Sequence, residues 1–310
     1  MTEVLINEVG LRDGLQNQPI HVSCADKLRL TRALVDAGLH SIEATSFVSP
    51  KSIPQMADAE QFFTQLPDKE VVRYSALVPN LRGLDRAQAA GVREIAVVLS
   101  ATETMNQRNI NMSLSEAIAA CEQTIVAALK LGMRTKAYLA VAFICPFEGL
   151  TSSDRVMSLG DGLLAAGVQE ICIADTIGAA APSAVAKLFK QCVTAWGEQC
   201  VSAHFHDTRA LALANTWAAL EAGVLKFDAS IGGLGGCPFA PGAAGNLATE
   251  DLVMMLKQCG LSTGVSLTKL RQAVSLAGEL VQRKIGGRAT SWFEAEDLRL
   301  QSKKSEPVIA

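Results

Sequence analysis

One short pattern recurs four times along the 310-residue chain and most constrains its fold. In each copy a helical stretch runs into Ala-Gly, a short loop follows, and a strand-like run begins. Glycine readily adopts the left-handed conformation that ends a helix, so each copy predicts a helix-to-strand join. The copies are 36–43 (DAGLHSIE), 90–97 (AGVREIAV), 166–173 (AGVQEICI) and 222–229 (AGVLKFDA). Repeated joins of this kind predict βα units and a parallel sheet.

Eight strand-like runs with helical patterns between them extend the prediction of βα units to most of the chain. Eight strands, each followed by a crossover helix, favour an α/β fold closed into a (β/α)8 TIM barrel. A doubly wound open sheet is the alternative, which the absence of GxGxxG after the first strand disfavours. The predicted strands cover 4–9, 41–44, 72–78, 94–100, 136–143, 170–174, 201–206 and 227–231, and the clearest helical patterns cover 25–37, 113–131, 208–222 and 249–259.

The pattern changes after residue 262, so we predict a barrel over 1–262 and a C-terminal extension over 263–310. The extension should contain one amphipathic helix over 266–284, a stop at Gly286-Gly287, and a polar tail. A helix outside the barrel packs either on the barrel or on a partner subunit. The extension is therefore compatible with a homodimer.

Composition and charge narrow the class of protein. Hydrophobic residues make up 49% of the chain and charged residues 19%, which indicates a large buried core. The net charge of -3 and the lack of a basic stripe argue against a nucleic-acid partner. We find no signal or transit peptide and no apolar run long enough to span a membrane. Eight scattered cysteines without a CxxC pair indicate free thiols, so we expect a cytoplasmic protein with no membrane partner.

Polar groups of the kind used in catalysis collect where the predicted strands end. In a barrel of this class the active site lies at the carboxyl ends of the strands and in the loops after them. The groups are Arg12, Asp13, Gln16, Glu43, Ser46, Asp175, His204, His206 and, in a glycine-rich run over 232–246, Cys237 and Asn246. Their concentration at one end predicts an active site there.

His204 and His206 are the strongest candidate metal ligands. They are two apart on a predicted strand, so their rings point to the same side. The alternative is a pair of structural histidines. Asp13, a further candidate ligand at a strand end, argues against that alternative. With imidazole, carboxylate and amide ligands we expect a six-coordinate Mg²⁺ or Mn²⁺ that keeps positions open for substrate. A tetrahedral zinc site is an alternative without a thiolate pair to support it.

The remaining candidates also have structural alternatives. Arg12 can offer its planar fork to an oxyanion, or form a surface salt pair with Asp13. Glu43 and Asp175 can orient Arg12, or cap the helices that follow them. Cys237, on a glycine-rich loop that can close over a ligand, can transfer a proton or pack as a small apolar residue. A phosphate cradle is a third interpretation of this loop, but no GK[ST] follows.

Five segments resemble 3-hydroxy-3-methylglutaryl-CoA lyases over roughly residues 4–260. The stretch around the cysteine is specific for this lyase branch, whereas RDG and HxH alone mark the wider superfamily of metal-dependent barrel lyases and synthases. The segments are VGLRDGLQNQ (9–18), SIEATSFVSPKSIPQMAD (41–58), QRNINMS (107–113), HFHDT (204–208) and DASIGGLGGCPFAPGAAGN (228–246).

The resemblance implies a (β/α)8 barrel, a divalent cation and cleavage of 3-hydroxy-3-methylglutaryl-CoA to acetyl-CoA and acetoacetate, as in leucine degradation and ketone-body formation. It implies that Arg12 stabilises the enolate oxygen and that Cys237 transfers a proton. It further implies metal ligands at Asp13, His204, His206 and Asn246, acidic active-site positions at Glu43 and Asp175, and polar substrate-binding positions at Gln16, Ser46 and Asn109. A superfamily aldolase or synthase acting on another acyl-CoA or a 2-oxo acid is the alternative, and a non-enzymatic binding barrel is a third hypothesis.

The chain departs from the family pattern at several positions. Leu11 replaces the usual proline, Ala140 and Ile144 replace a small Ser–Gly pattern, and Cys172 and Ala174 give CIADT where close members read SLGDT. We expect several of these positions to face the pocket and make it more apolar. The departures therefore predict an acyl-CoA substrate with a different substituent at C3.

Overall fold

The computed structural model describes residues 3–236 and 245–305. Eight parallel strands close into a barrel, which confirms the predicted fold and rules out the open sheet. A short antiparallel hairpin between the fifth and sixth barrel strands lies outside the barrel. The barrel strands are β1 (Leu5–Glu8), β2 (Ser41–Ser46), β3 (Arg73–Leu77), β4 (Glu94–Ser100), β5 (Arg134–Ala140), β8 (Glu170–Asp175), β9 (Val201–Phe205) and β10 (Lys226–Ala229), and the hairpin comprises β6 (Ile144–Cys145) and β7 (Gly149–Leu150). The barrel closes between β1 and β10.

Helices connect the strands and cover the outside of the barrel. They are α1 (Cys24–Asp36), α2 (Ala59–Thr64), α3 (Leu81–Ala89), α4 (Glu103–Ile110), α5 (Leu114–Lys130), α6 (Ser153–Ala165), α7 (Pro182–Trp196), α8 (Ala212–Glu221), α9 (Thr249–Gln258), α10 (Leu267–Leu280) and α11 (Thr290–Ser305). All four Ala-Gly joins end a helix as predicted, with positive φ at the glycine. Within the described residues, no helix is both long and apolar enough to cross a membrane.

The core divides into an apolar layer and a polar interior. Alternate strand residues such as Ile95, Val97 and Leu99 are fully or almost fully buried in the apolar core cluster. The intervening residues face the barrel axis, and hydrogen bonds there join strands on opposite sides, such as that from Tyr138 on β5 to Glu43 on β2. Barrel interiors are usually filled by bulky branched side chains, so a polar interior needs charge pairing throughout.

The C-terminal extension holds more structure than its sequence suggests. The predicted helix is α10, which packs against α1 and α9. The segment predicted as a polar tail is helical over most of its length, where it forms α11. Trp292 and Leu298 are exposed, so α11 lacks the apolar stripe by which a surface helix is recognised. Tertiary contacts hold it instead. The predicted domain division at residue 262 stays a prediction.

Candidate active site

A tight turn after β1 presents the first two site residues. Residues Gly10–Gly14 form one turn of π-helix, in which the backbone N–H groups of Asp13 and Gly14 both donate to the Val9 carbonyl. Turns of this type occur often at functional sites. A side chain at Gly10 would collide with the Glu8 carboxylate and with Ile231, so only glycine fits there. The turn directs Arg12 and Asp13 over the carboxyl end of the barrel.

The Arg12 guanidinium is held in place by hydrogen bonds that do not use all of its N–H groups. Its Nε donates to Glu43 Oε1 at 2.8 Å, its second terminal nitrogen donates to Glu43 Oε2 at 3.2 Å, and the first donates to Asp13 Oδ1 at 2.6 Å. Tyr138 donates its hydroxyl to Glu43 Oε2 at 2.5 Å. A guanidinium has five N–H groups, so two of them make no hydrogen bond to the described residues and can donate to a ligand. Glu43 thus orients Arg12, one of the two roles expected for it.

Asp13, His204 and His206 form a compact set of candidate ligands. One ligand atom from each can be chosen so that all lie within 4.8 Å of one another. Asn246 joins them by donating to Asp13 Oδ2 at 2.6 Å and by forming an isolated β-bridge with His206. The structure therefore brings together all four predicted metal ligands.

Unpartnered polar atoms in this cluster fit a hard divalent cation. Nδ1 of His206 and Oδ1 of Asn246 are both buried and have no hydrogen-bond partner among the described residues. Leaving such atoms buried without partners costs free energy, and two of them lie here beside the Asp13 carboxylate, so the cluster is suited to bind a ligand. An imidazole nitrogen, an amide oxygen and a carboxylate form a donor set suited to Mg²⁺ or Mn²⁺.

Electrostatics keeps two of these groups in the form that binds a metal. Burial raises the pKa of Asp13, but the neighbouring Arg12 and the two histidines outweigh it and hold that pKa at about 2. Burial, together with the adjacent His204, lowers the pKa of His206 to about 4. Asp13 is therefore ionised and His206 neutral near pH 7, as metal ligation requires.

Behind His204 lies a buried ion pair that sequence analysis did not identify. Nδ1 of His204 lies 3.1 Å from Asp228 Oδ2, which leaves Nε2 for a metal. Asp228 Oδ1 accepts from Lys136 Nζ and from Asn7, both at 2.9 Å. A carboxylate behind a ligating histidine fixes the orientation and tautomer of the ring. The missed signal was Lys136 and Tyr138, two apart in β5 and therefore on the same face.

The other predicted site residues are distributed differently. Asp175 is buried and accepts hydrogen bonds from the backbone N–H groups of Ala179 and Ala180, so it anchors the loop after β8 rather than Arg12. Gln16 and Ser46 each carry a buried oxygen without a partner among the described residues. Asn109 is exposed on α4, and Cys237 lies outside the described residues.

The family departures do not all face the pocket. Leu11 is fully buried in the apolar core. Cys172 is also fully buried, and its register opposite Ser202 places it one interior position deeper than His204. Cys172 is therefore not among the departures that face the pocket, and its Sγ lies 3.8 Å from Asp228 Oδ2 instead. Of the other departures, Ala140 lies at the carboxyl end of β5 and Ile144 lies on the hairpin.

Comparisons with known proteins agree with this geometry. Residues 3–277 match the HMGL-like family. The hydroxymethylglutaryl-CoA lyase of Bacillus subtilis is 42% identical over 293 residues, which cover 94% of this chain and 98% of that relative. A crystal structure of the Bacillus subtilis HMG-CoA lyase superposes with a TM-score of 0.92 at 42% identity, covering 95% of this chain and 99% of that one.

A second solved relative carries ligands. It is an HMG-CoA lyase from Acinetobacter baumannii in complex with coenzyme A and 3-methylmalate, 38% identical, with a TM-score of 0.89, covering 93% of this chain and 94% of that one. By contrast, the carboxyl transferase domain of Rhizobium etli pyruvate carboxylase, at 19% identity and a TM-score of 0.66, shares only the fold. On the family match and these identities, the chain belongs to the HMGL-like family of carbon–carbon lyases, together with the hydroxymethylglutaryl-CoA lyases.

Proposed function

We propose that this protein cleaves 3-hydroxy-3-methylglutaryl-CoA, or a close 3-hydroxy-3-alkyl acyl-CoA, to acetyl-CoA and a β-keto acid. For the methylglutaryl substrate the keto acid is acetoacetate. The observation that carries the proposal is the placement of a buried arginine, with two N–H groups unused by the described residues, beside the cluster of candidate metal ligands. The names and ligands of the relatives support the same substrate class.

A divalent cation, Mg²⁺ or Mn²⁺, would be held by Asp13, His204, His206 and Asn246. When bound, it supplies Lewis-acid chemistry at substrate oxygens. Asp228 holds the ring of His204 from behind, and Arg12 holds Asp13 from the side. These two contacts would orient His204 and Asp13 before a cation binds.

Arg12 would stabilise the charge that carbon–carbon cleavage creates. When the bond between C2 and C3 breaks, its electron pair moves towards the thioester carbonyl and places negative charge on that oxygen. The two free N–H groups of Arg12 would donate to this oxygen, while Glu43 prevents the guanidinium from turning away. Such donors have large effects because they are already oriented and are shielded from water.

The proton transfers need groups other than Glu43, because Glu43 forms an ion pair with Arg12 and also accepts from Tyr138, whereas Asp175 accepts from two neutral backbone N–H groups. Burial raises the pKa of Asp175 despite two backbone hydrogen bonds, and we assign to Asp175 the removal of the substrate hydroxyl proton. We assign to Cys237 the protonation of C2 that yields acetyl-CoA. Gln16, Ser46 and Asn109 would bind polar parts of the substrate.

A comparison of acyl-CoA substrates tests which substituent at C3 the enzyme accepts. Metal-loaded protein is mixed with 3-hydroxy-3-methylglutaryl-CoA, with longer 3-alkyl analogues and with citramalyl-CoA, and acetyl-CoA is measured by mass spectrometry. We expect acetyl-CoA from the 3-hydroxy-3-alkyl compounds, and faster turnover of a longer analogue because Ala140 and Ile144 make the barrel mouth more apolar. Fast turnover of the methylglutaryl compound alone would remove the idea of an altered substituent. A failure of every compound would contradict the proposed function itself.

Three further assignments stay predictions: a cytoplasmic location, a homodimer, and a role in leucine degradation or ketone-body formation. Size-exclusion chromatography with light scattering tests the homodimer directly.

A further inference from the structure

The segment between α10 and α11 returns to the carboxyl end of the barrel. Gly287 donates its N–H to Glu250 Oε1 at 2.8 Å, and Arg288 and Ala289 donate theirs to the two oxygens of Asp251 at 2.5 and 3.1 Å. A side chain at Gly287 would collide with the Asp251 carboxylate, so the glycine permits this close approach. The Gly-Gly pair, predicted only to end a helix, thus docks the extension on the first turn of α9.

The docked segment places Arg288 on the residue that follows a candidate metal ligand. Nε of Arg288 donates to Asp207 Oδ2 at 2.5 Å, and a terminal nitrogen donates to the Asp207 carbonyl oxygen at 2.9 Å. Asp207 is almost fully buried, whereas about half of the Arg288 side chain is exposed. Arg288 therefore fixes both the backbone and the side chain of Asp207.

Asp207 in turn connects two of the four candidate ligands. It follows His206 directly, and its backbone N–H donates to the Gly245 carbonyl at 2.7 Å, one residue before Asn246. His206 and Asn246 form a β-bridge across the same junction. Asp207 Oδ1 also accepts from the backbone N–H of Ala212, at the first turn of α8. A displacement of Asp207 would therefore disturb both ligands.

From these contacts we propose that Arg288, which lies outside the barrel, is a positioning residue of the metal centre and that metal affinity depends on the docked C-terminal segment. The inference rests on the proposed metal-dependent function. Arg288 acts through Asp207, with no role in the chemistry. Losing a partner of a metal ligand typically weakens metal binding by about 10- to 100-fold. Because Arg288 is one residue removed from the ligands, we expect an effect of about tenfold.

A second ion pair in the extension provides a matched control. Arg271 on α10 binds Asp297 on α11, and this pair also joins the elements of the extension to one another. Within the described residues, no hydrogen bond or ion pair joins it to β9 or to the residues around Asn246. Arg271→Ala removes a comparable partly exposed arginine without touching Asp207.

The test measures Mn²⁺ binding by electron paramagnetic resonance, together with acyl-CoA turnover at limiting and saturating Mn²⁺. For Arg288→Ala we expect a Kd for Mn²⁺ about tenfold higher than that of the unsubstituted protein, and turnover that recovers when Mn²⁺ is saturating. Arg288→Lys should restore part of the affinity, since lysine keeps the charge but lacks the fork that reaches both acceptors. Arg271→Ala should bind Mn²⁺ as the unsubstituted protein does.

Two results would overturn the inference: unchanged Mn²⁺ affinity in Arg288→Ala, or an equal loss of affinity in Arg271→Ala. If the affinity of Arg288→Ala is unchanged and its KM for acyl-CoA is higher, Arg288 contacts the substrate directly, since Arg288 lines the same cavity of about 450 Å³ as Asn246. If the unsubstituted protein itself binds no Mn²⁺, the proposed metal-dependent function fails. If it binds Mn²⁺ but Arg288→Ala binds Mn²⁺ equally well, only the inference about Arg288 fails.

Discussion

Two polar clusters occupy the barrel interior at different depths, and they differ in whether they are complete. The interior cluster lies deeper and consists of Asn7, Lys136, Glu170, Ser202 and Asp228. Each of these side chains is paired, for example Lys136 with Asp228 at 2.9 Å and Ser202 with Glu170 at 2.8 Å. The mouth cluster lies at the carboxyl end and consists of Arg12, Asp13, Glu43, His204, His206 and Asn246.

The mouth cluster leaves donors and acceptors unused. Nδ1 of His206 and Oδ1 of Asn246 are buried without a partner among the described residues, and Arg12 retains two N–H groups. Both clusters are buried and charged, so burial and charge alone do not distinguish function from structure. The difference lies in the unpartnered atoms, which indicate where a ligand is needed. Substitutions should therefore affect activity in one cluster and stability in the other.

The largest effect is expected for His206→Ala in the mouth cluster. Its Nδ1 has no hydrogen-bond partner among the described residues, so removal of the side chain should leave thermal stability nearly unchanged. Loss of a metal ligand should lower turnover by at least about 10³-fold, since Lewis-acid stabilisation is worth several kcal/mol. Turnover and thermal unfolding are measured in parallel, with the exposed His21→Ala as control. Turnover within a few-fold of the unsubstituted protein would rule out this histidine as a ligand.

In the interior cluster, Lys136→Met should reduce stability directly. It leaves Asp228 without its cation and weakens the pairing of Glu170, and breaking a buried ion pair on one side costs about 3–5 kcal/mol. The free energy of unfolding is measured in urea, with the exposed Lys130→Met on α5 as control. A loss no larger than that of the control would mean that the interior cluster tolerates an unpaired Asp228.

The same contrast explains what the sequence could predict. The Ala-Gly joins are local signals, and they located four of the eight barrel strands. The mouth residues follow from the rule that active sites lie at strand ends, so Arg12, Asp13 and His206 were predictable.

The interior cluster and the docked extension were not predictable in this way. Polar residues at alternate strand positions usually face water, whereas Lys136 and Asp228 face the barrel axis and are neutralised by each other. Arg288 and Asp207 are 81 positions apart, and their contact depends on how the extension folds back. The same-face spacing of Lys136 and Tyr138 could have indicated a polar face on β5. The partners of these residues, and of Arg288, are set by tertiary structure.

Another buried carboxylate, that of Glu8, sharpens the comparison, because no cation pairs with it among the described residues. Glu8 is fully buried next to Asn7, and its oxygens accept from the N–H groups of Gly10 and Ile231 and from the Thr249 hydroxyl. Burial raises the pKa of Glu8 to about 7, although these hydrogen bonds oppose the rise, and the nearby Glu250 adds to it. Asp228 is equally buried, yet Lys136 and His204 overcome that burial and hold its pKa below the usual range.

The raised pKa of Glu8 predicts a pH dependence that Glu8→Gln should remove. Between the usual value of 4.5 and about 7 the folded protein keeps a proton that the unfolded chain releases, so this contribution to stability is complete below pH 4.5 and lost as pH rises through 7. The difference corresponds to about 3 kcal/mol at most, and glutamine imitates the protonated acid without titrating. Urea unfolding at pH 5.5 and 8 should therefore show a smaller loss for Glu8→Gln than for the unsubstituted protein, while the exposed Glu221→Gln retains the full loss. Parallel losses in all three proteins would mean that Glu8 remains ionised across this range, and that two backbone N–H groups and the Thr249 hydroxyl can replace the cation that Asp228 receives from Lys136.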